Sequence, residues 1–418
     1  MSLHSVKFVT IMLNRLRQNR NLSLLWVGHM ISHSGDAIYQ IALPWLILDL
    51  TGSKTATSLV ALAAYLPAVL FSLFAGVIVD RFSRRGVMIA SDLSRMLLVG
   101  LLFFYLYTGG TSATVLGFMA FLVATMATPF YPARDALIPD LVAADKLTSA
   151  NALMSTSGQM AQLSGPALAG FLIAWVGLYN LFAIDAATFA ASLAAMLLIR
   201  VKDRHRVGPQ TATHLSEMLE GLRFVWRESA LGLLIILTAI NNFFIMGPAL
   251  IGMPIFVREV LELDFQAFAI IEAHMAAGMI ISSVFIWKLG SRIAPPKLLL
   301  IGMIVDGLTY SMLYFIDSYP FTRLMLLIHG MGIPMITIPR TTIIQRCVPD
   351  NYRGRVFSMV NMSVIGLTAL SAAAIGPVAE VLHIKAIFLW IGIFAALCGV
   401  VGMAHRGILS LARTGTDR

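Results

Sequence analysis

Charged residues are scarce in this chain. Asp, Glu, Lys and Arg make up only 12% of its 418 residues, whereas 58% are hydrophobic and the mean hydropathy is +0.83. Soluble globular domains carry about twice that share of charge. Most of the chain divides into apolar stretches of about 20 residues, the length that a helix needs to cross a bilayer. The composition therefore predicts a polytopic α-helical protein in contact with a lipid bilayer.

Cysteine is scarce as well, since Cys347 and Cys398 are the only two. This excludes a disulfide framework and a cysteine metal cluster. The sequence also lacks a cleavable signal peptide pattern, a phosphate-binding loop, a nucleophile-base-acid set and a metalloprotease pattern. Its loops are too short for a catalytic domain. We therefore expect no enzyme, including a lipid-modifying one, and no cofactor.

Apolar runs bounded by charge, Pro or Gly predict twelve crossings in two sets of six. The first set lies near residues 22–48, 56–79, 87–108, 112–131, 152–175 and 178–199, and the second near 230–257, 265–289, 297–316, 322–339, 357–379 and 384–404. The fourth and tenth crossings could extend into the segments that follow them. The predicted organisation is a six-helix bundle in residues 1–200, a polar cytoplasmic linker in 201–228 and a second bundle in 229–418.

Basic residues are distributed unevenly between the predicted loops. Only Lys54, Arg258, Arg323 and Lys385 fall on one side, and most of the other basic residues fall on the side of the termini. The positive-inside rule then places both termini in the cytoplasm, in a cytoplasmic (inner) membrane. This asymmetry accounts for the net charge of +9 without a nucleic-acid partner.

The two halves resemble each other weakly. A Pro-Arg pair followed by an apolar segment recurs at Arg134 and Arg340, which are 340 − 134 = 206 positions apart. A spacing near half the chain length indicates two parallel repeats of six helices. Such repeats place a substrate cavity between the halves, near the middle of the membrane.

The end of the second crossing carries GVIVDRFSRR at residues 76–85, which resembles the signature loop of the major facilitator superfamily. The resemblance implies the fold of that superfamily, with two pseudo-symmetric six-helix bundles. It also implies that charged residues of this loop form ion pairs of a cytoplasmic gate. The alternative is that they are ordinary surface charges. The residues assigned to this gate are Gly76, Asp80, Arg81, Arg84, Arg85, Arg134 and Arg340.

Further segments resemble the branch of enterobactin exporters and macrolide efflux pumps. They are residues 35–36, 42–45, 132–134, 138–142, 150–153, 165–170 and 184–189. Gly158, Gly165, Pro166 and Gly170 are similar to the antiporter motif of the fifth helix, which favours export. The fourth crossing departs from many drug-proton antiporters because it has no arginine in its apolar body.

The first crossing holds the main candidate site. His29, His33, Asp36 and Gln40 follow each other at helical spacing and share one face. An intramembrane carboxylate is costly unless it faces a cavity or a partner. Asp36 is thus the candidate proton carrier, with the histidines adjusting its protonation or binding substrate. The alternatives are an ordering hydrogen-bond network and a transition-metal site made by His29, His33 and Asp36.

Other polar groups inside predicted crossings are weaker candidates for substrate or proton binding. They are Asn241, Asn242, Glu272, Asp185, Asp306 and His329. Glu272 and His274 point in nearly opposite directions, so at most one of them faces a cavity, and Glu272 is favoured. Asp92 and Arg95 are three residues apart and are expected to form a local ion pair.

The sequence thus predicts a secondary transporter rather than an enzyme. We expect a monomer that exports amphipathic, drug-like or siderophore-like small molecules by proton antiport and alternating access. Its expected partners are the small-molecule substrate, protons and lipid. A transition-metal transporter is the alternative, and a non-transporting receptor remains open.

Overall fold

A computed structural model describes residues 19–143, 146–201, 223–289 and 293–411, and these are almost entirely helical. The helices of the first half are α1 (Arg20–Thr51), α2 (Lys54–Arg81), α3 (Arg84–Tyr107), α4 (Ala113–Ala127), α5 (Phe130–Leu141), α6 (Leu147–Val176) and α7 (Leu178–Leu198). Those of the second half are α8 (Ser229–Gly247), α9 (Met253–Glu259), α10 (Phe265–Leu289), α11 (Pro295–Met312), α12 (Tyr319–Cys347), α13 (Asp350–Val381), α14 (Ile384–Ala404) and α15 (Arg406–Ser410).

The predicted crossings correspond to these helices. Ten stretches of the described residues are long and apolar enough to span a membrane. The helices α1 and α6 are not among the ten, but they are 32 and 30 residues long. The ten stretches and these two helices give twelve crossings in two sets of six. The fourth crossing continues through α5 to Leu141, and the tenth continues to Cys347, as the sequence had left open.

Local sequence explains several helix ends. The Ser83 side chain accepts a hydrogen bond from the Gly86 amide and caps the start of α3. Pro295 begins α11, where its missing amide hydrogen costs nothing. Gly177 has φ +76° in the one-residue connection between α6 and α7, a backbone conformation that favours glycine.

The chain forms two compact units whose boundary differs from the predicted domains. The first unit comprises residues 1–43 and 70–209, and the second comprises residues 44–69 and 210–418. The end of α1 and the start of α2 therefore belong with the C-terminal helices, whereas the sequence placed them in the bundle of residues 1–200. Each unit has its own apolar core, around Phe130 and Met196 in the first and around Leu299 and Ile343 in the second.

Contacts within the second unit explain why residues 44–69 belong to it. The Glu380 carboxylate accepts hydrogen bonds from the Lys54 and Thr55 amides at the start of α2, at 3.0 and 3.2 Å. The Lys54 ammonium lies 2.7 Å from Glu259. The Trp45 ring stacks on Phe268 with the ring centroids 5.5 Å apart. Charge and aromatic packing therefore fix this segment against the helices of its own unit.

Candidate functional site

The first unit contains a polar cluster that begins on α1. The His29 and His33 rings stack with their centroids 5.4 Å apart, and His33 Nδ1 lies 4.0 Å from Asp36 Oδ2. The common face predicted for these three residues is therefore present. Gln40, the fourth member of that predicted face, is exposed.

Asp36 contacts an arginine that the sequence had assigned to a different pair. Arg95 Nη1 on α3 lies 3.3 Å from Asp36 Oδ2, while Arg95 Nη2 donates to Asp92 Oδ1 at 2.6 Å. Ser192 on α7 donates to the other Asp92 oxygen at 2.7 Å. The predicted ion pair of Asp92 and Arg95 is confirmed. The contact from Arg95 to Asp36 was not predicted.

The three charged groups differ in their access to solvent. The Asp92 and Arg95 side chains are 0% and 1% exposed, whereas that of Asp36 is 20% exposed. Phe130 and Phe189 flank the guanidinium, with their ring centroids 4.9 and 4.3 Å from it. Cation–π contacts of this kind strengthen when water is excluded. Arg95 is thus held in place and already neutralised by Asp92, and Asp36 is the carboxylate that remains open to water.

Arg134 on α5 lies at the other end of the cluster, beside His29. Its Nη1 lies 2.9 Å from His29 Nε2, and its Nη2 lies 2.7 Å from Asp135. Tyr131 Oη lies 3.1 Å from His33 Nδ1, and the Tyr131 ring lies beside the Arg134 guanidinium. An arginine can only donate, so His29 Nε2 accepts and the neutral His29 ring carries its hydrogen on Nδ1. That buried Nδ1 has no hydrogen-bond partner among the described residues.

A third carboxyl group lies nearby on α7. Asp185 is buried and accepts a long hydrogen bond of 3.4 Å from Thr188 Oγ1. It lies close enough to Asp36 and Arg95 for their charges to interact. A Cβ atom at Gly35 would overlap both Asp185 Oδ1 and Thr188 Oγ1, so this glycine is what allows α1 to approach α7 here. The cluster around Arg95 thus contains three carboxyl groups.

Two glycines of the predicted antiporter motif lie against α1. A Cβ atom at Gly165 would overlap the Ala37 side chain, and one at Gly158 would lie 3.8 Å from the His33 ring. Small residues at such positions let membrane helices approach closely. The motif therefore brings α6 against the face of α1 that carries the polar cluster.

The gate residues predicted near α3 make contacts inside the first unit. Arg84 Nη1 lies 2.7 Å from Asp140 at the end of α5. Arg85 donates to the Met196 and Leu197 carbonyl oxygens at the end of α7, both at 2.9 Å. Arg84 and Arg85 thus connect the start of α3 to the ends of α5 and α7. A cation at a helix C-terminus interacts favourably with the helix dipole.

The remaining predicted gate residues occupy helix ends or half-buried positions. Gly76, Asp80 and Arg81 lie in the last turns of α2, where Asp80 and Arg81 are exposed. Arg340 is half-buried on α12. Arg134, predicted as part of the gate, lies in the polar cluster beside His29, because its long side chain turns towards α1.

The other predicted site residues lie in the second unit. Asn242 donates to Val364 O and Thr368 Oγ1, both at 3.3 Å, and thereby joins α8 to α13. The neighbouring Asn241 is buried, and its amide nitrogen has no partner among the described residues. Glu272, Asp306 and His329 are also buried and form a second cluster.

The metal-site alternative has little support in this geometry. Among the described residues, no group of three or more His, Cys, Asp and Glu side chains is arranged to hold a metal ion. The Arg134 guanidinium occupies the Nε2 side of His29, and Arg95 lies beside Asp36. Two fixed cations at these ligands would repel a divalent metal ion.

Sequence reasoning missed Arg95 and Tyr131 as members of the cluster, and it missed Ser192 as a partner of Asp92. The position of Arg95 in the middle of a crossing was an available signal. An arginine at such a depth usually contacts further polar groups besides a partner on its own helix. Tyr131 and Ser192 gave no such signal, since hydroxyl groups are common in membrane helices.

Comparison with known proteins agrees with this architecture. The model of a family described as transmembrane secretion effector matches residues 13–410. The multidrug efflux pump Tap of Mycolicibacterium fortuitum is 25% identical over 392 residues, which are 91% of this chain and 95% of that protein. Macrolide efflux protein A of Streptococcus pyogenes is 25% identical over 349 residues, covering 80% of this chain and 83% of that protein.

Solved structures of major facilitator transporters share the fold. A point mutant of the nucleoside transporter NupG superimposes with a TM-score of 0.76 at 13% identity, covering 92% of this chain and 99% of that one. A bacterial homologue of the iron transporter ferroportin in its inward-facing state gives 0.68 at 17% identity, covering 96% and 99%. These likenesses show the fold.

Proposed function

The chain belongs to the transmembrane secretion effector family of the major facilitator superfamily, and from this membership we propose that it is a proton-driven exporter of amphipathic small molecules. It is a multi-pass membrane transporter and not an enzyme. The proposed substrates are drug-like or siderophore-like compounds. The proposed location is the cytoplasmic membrane, with both termini in the cytoplasm.

Export is favoured by two independent observations. The relatives named Tap and macrolide efflux protein A are efflux proteins by name, and they align along nearly the whole chain. The antiporter-like motif also supports export, because its Gly158 and Gly165 pack α6 against α1 beside the polar cluster.

The charge balance around Arg95 supports proton coupling, and this single observation carries the proposal. Arg95 is neutralised by Asp92 at 2.6 Å, and Asp36 lies farther away at 3.3 Å with more access to water. Asp36 is thus a second carboxylate on a cation that already has one. Removing its charge leaves the buried pair of Asp92 and Arg95 intact. Asp36 can therefore gain and lose a proton without disrupting the unit.

The groups around Asp36 suit an amphipathic substrate. His33 and Tyr131, which are half-buried, present aromatic rings beside an acidic group, and rings of this kind bind flat, partly apolar molecules. A cationic substrate would be favoured when Asp36 is ionised and disfavoured when it is protonated. Competition between substrate and proton for one carboxylate provides antiport when access alternates between the two sides of the membrane.

Gating is the proposed role of the remaining loop residues. Asp80, Arg81 and Arg340 lie at or near helix ends predicted to face the cytoplasm. Ion pairs among such groups would form in one access state and separate in the other. Arg84 and Arg85 instead stabilise the first unit, because their contacts with Asp140 and with the end of α7 lie inside it.

Flux into proteoliposomes tests the proposal. Purified protein is reconstituted in vesicles with an acidic lumen, and uptake of ethidium, a macrolide, a catecholate siderophore and a divalent metal is followed separately. We expect the pH gradient to drive uptake of at least one organic compound by the wild type. We expect Asp36→Asn to abolish this gradient-driven uptake.

The matched control is Asp317→Asn, which changes the same functional group at an exposed ion pair with Lys385 in the second unit. It should retain wild-type flux. Gradient-driven uptake that survives in Asp36→Asn would refute the assigned coupling role. Uptake of the metal alone would refute the substrate class.

A further inference from the structure

The second unit contains a separate cluster of ionisable groups in the interior of three crossings. Glu272 on α10, Asp306 on α11 and His329 on α12 are all buried, and each lies about two helical turns or more from the ends of its helix. The proton coupling proposed for Asp36 does not use them. Ionisable groups at such positions are expensive in a membrane and usually serve a function.

Two glycines bring the helices of this cluster together. A Cβ atom at Gly278 would overlap the Leu327 carbonyl oxygen, and one at Gly330 would overlap the Met275 carbonyl oxygen. The backbones of α10 and α12 therefore touch at both points. This close crossing places Glu272 within electrostatic range of His329, which immediately precedes Gly330.

His329 and Asp306 lie in contact with each other. His329 Nδ1 lies 2.9 Å from Asp306 Oδ1 and 3.2 Å from Thr309 Oγ1. The Thr309 hydroxyl is placed to donate to the backbone carbonyl groups of Val305 and Asp306, so it accepts from His329 Nδ1. The edge of the Tyr310 ring covers the imidazole, with the centroids 4.8 Å apart. The Nδ1 hydrogen of His329 is therefore directed to Thr309, and the buried Asp306 Oδ1 atom has no hydrogen-bond partner among the described residues.

The Glu272 carboxyl group takes no part in the contact between His329 and Asp306. Its side chain is 7% exposed, and in the described ranges no residue donates a hydrogen bond to it and no Lys or Arg forms an ion pair with it. The ionisable groups that face it are His329 from α12 and Tyr310 from α11. On its own helix, His274 is already bonded to the Ile270 carbonyl oxygen. An ionised carboxylate with so little compensation is strongly disfavoured in such surroundings.

We propose that Glu272 is a second proton-binding site, located in the second unit and independent of Asp36. Its ligand is the hydrogen ion, which converts the carboxylate into the neutral acid. The two sites differ in design. Asp36 shares the Arg95 guanidinium with Asp92 and is open to water. Glu272 instead faces His329, whose Nδ1 atom already contacts Asp306 and Thr309. A role of this proton in transport rests on the proposed antiport, but proton binding itself does not.

Infrared difference spectroscopy of the purified protein in lipid tests the site without any substrate. A protonated carboxyl group has a carbonyl stretching band separate from that of a carboxylate, and the band shifts in heavy water. We expect wild type at neutral pH to show such a band, with the intensity of one carboxyl group missing in Glu272→Gln. Glu272→Asp should restore a band at a changed frequency.

Glu262→Gln is the matched control, because Glu262 is an exposed residue in the loop before α10. It should leave the band unchanged. A band of full intensity in a folded Glu272→Gln protein would overturn the proposal. The spectrum of Asp36→Asn is recorded in parallel, and loss of the Glu272 band in that variant as well would overturn the independence of the two sites.

Discussion

Replacing Asp92 by Asn should destabilise the first unit more than replacing Asp36 by Asn. Removing one partner of a buried ion pair costs about 3–5 kcal/mol, because the other charge is left uncompensated. Arg95 would keep Asp36 at 3.3 Å, so the expected cost of Asp92→Asn lies at the lower end, about 3 kcal/mol. Asp36→Asn leaves the 2.6 Å contact with Asp92 intact and should cost about 1 kcal/mol, the scale of one hydrogen bond.

Reversible unfolding in mixed micelles of lipid and SDS, followed by tryptophan fluorescence, measures both values. The difference of about 2 kcal/mol corresponds to a factor of roughly 30 in the ratio of folded to unfolded protein. A double-mutant cycle with Arg95→Gln isolates the pair, and we expect a coupling free energy of about 1–3 kcal/mol between Asp92 and Arg95. Equal costs for the two Asn variants, or a larger cost for Asp36→Asn, would refute the assignment of Asp92 as the structural partner.

Three further predictions address other contacts. Arg134→Met removes the donor to His29 Nε2 and should lower the free energy of unfolding in the same micelle assay by about 1.5–3 kcal/mol, the scale of a hydrogen bond to a charged group; an unchanged value would contradict the contact. Gly278→Val places a branched side chain against the backbone of α12 and should lower the free energy of unfolding by several kcal/mol, seen as loss of monodisperse protein in size-exclusion chromatography. Gly366→Val should be tolerated, because a Cβ atom there would meet open space. Lys54→Met removes the ion pair with Glu259 and should make a cysteine introduced nearby at Thr51 more accessible to a membrane-impermeant thiol reagent; accessibility equal to that of a parent carrying only the introduced cysteine would contradict the role of this ion pair in holding the start of α2 against α9.

The crossings could be predicted because the bilayer imposes a single length and polarity on each of them. Even α1, which is interrupted by His29, His33 and Asp36, was found because its flanks are apolar. The helical spacing of these three residues also correctly predicted that they share a face. Such local periodicity is a property of one helix and needs no knowledge of its neighbours.

Contacts between helices were harder to predict. Arg95 lies within reach of both Asp92, three residues away, and Asp36, on another helix, and the sequence could favour only the first. The partner of Arg134 depends on how α5 turns after α4, which no pattern in the sequence specifies. Contacts between helices depend on small residues such as Gly35 and Gly165, whose neighbours become known only with the structure.

The border between the two compact units crosses α1 between Leu43 and Pro44, two turns before its end, and crosses α2 near its middle, just after Pro67. A proline inside a helix removes one backbone hydrogen bond and weakens the helix at that turn. Each helix shared by the units therefore has its weakest turn at or near the border. Bending at these two turns needs little energy, so α1 and α2 can flex there without any change in the apolar cores around Phe130 and Leu299.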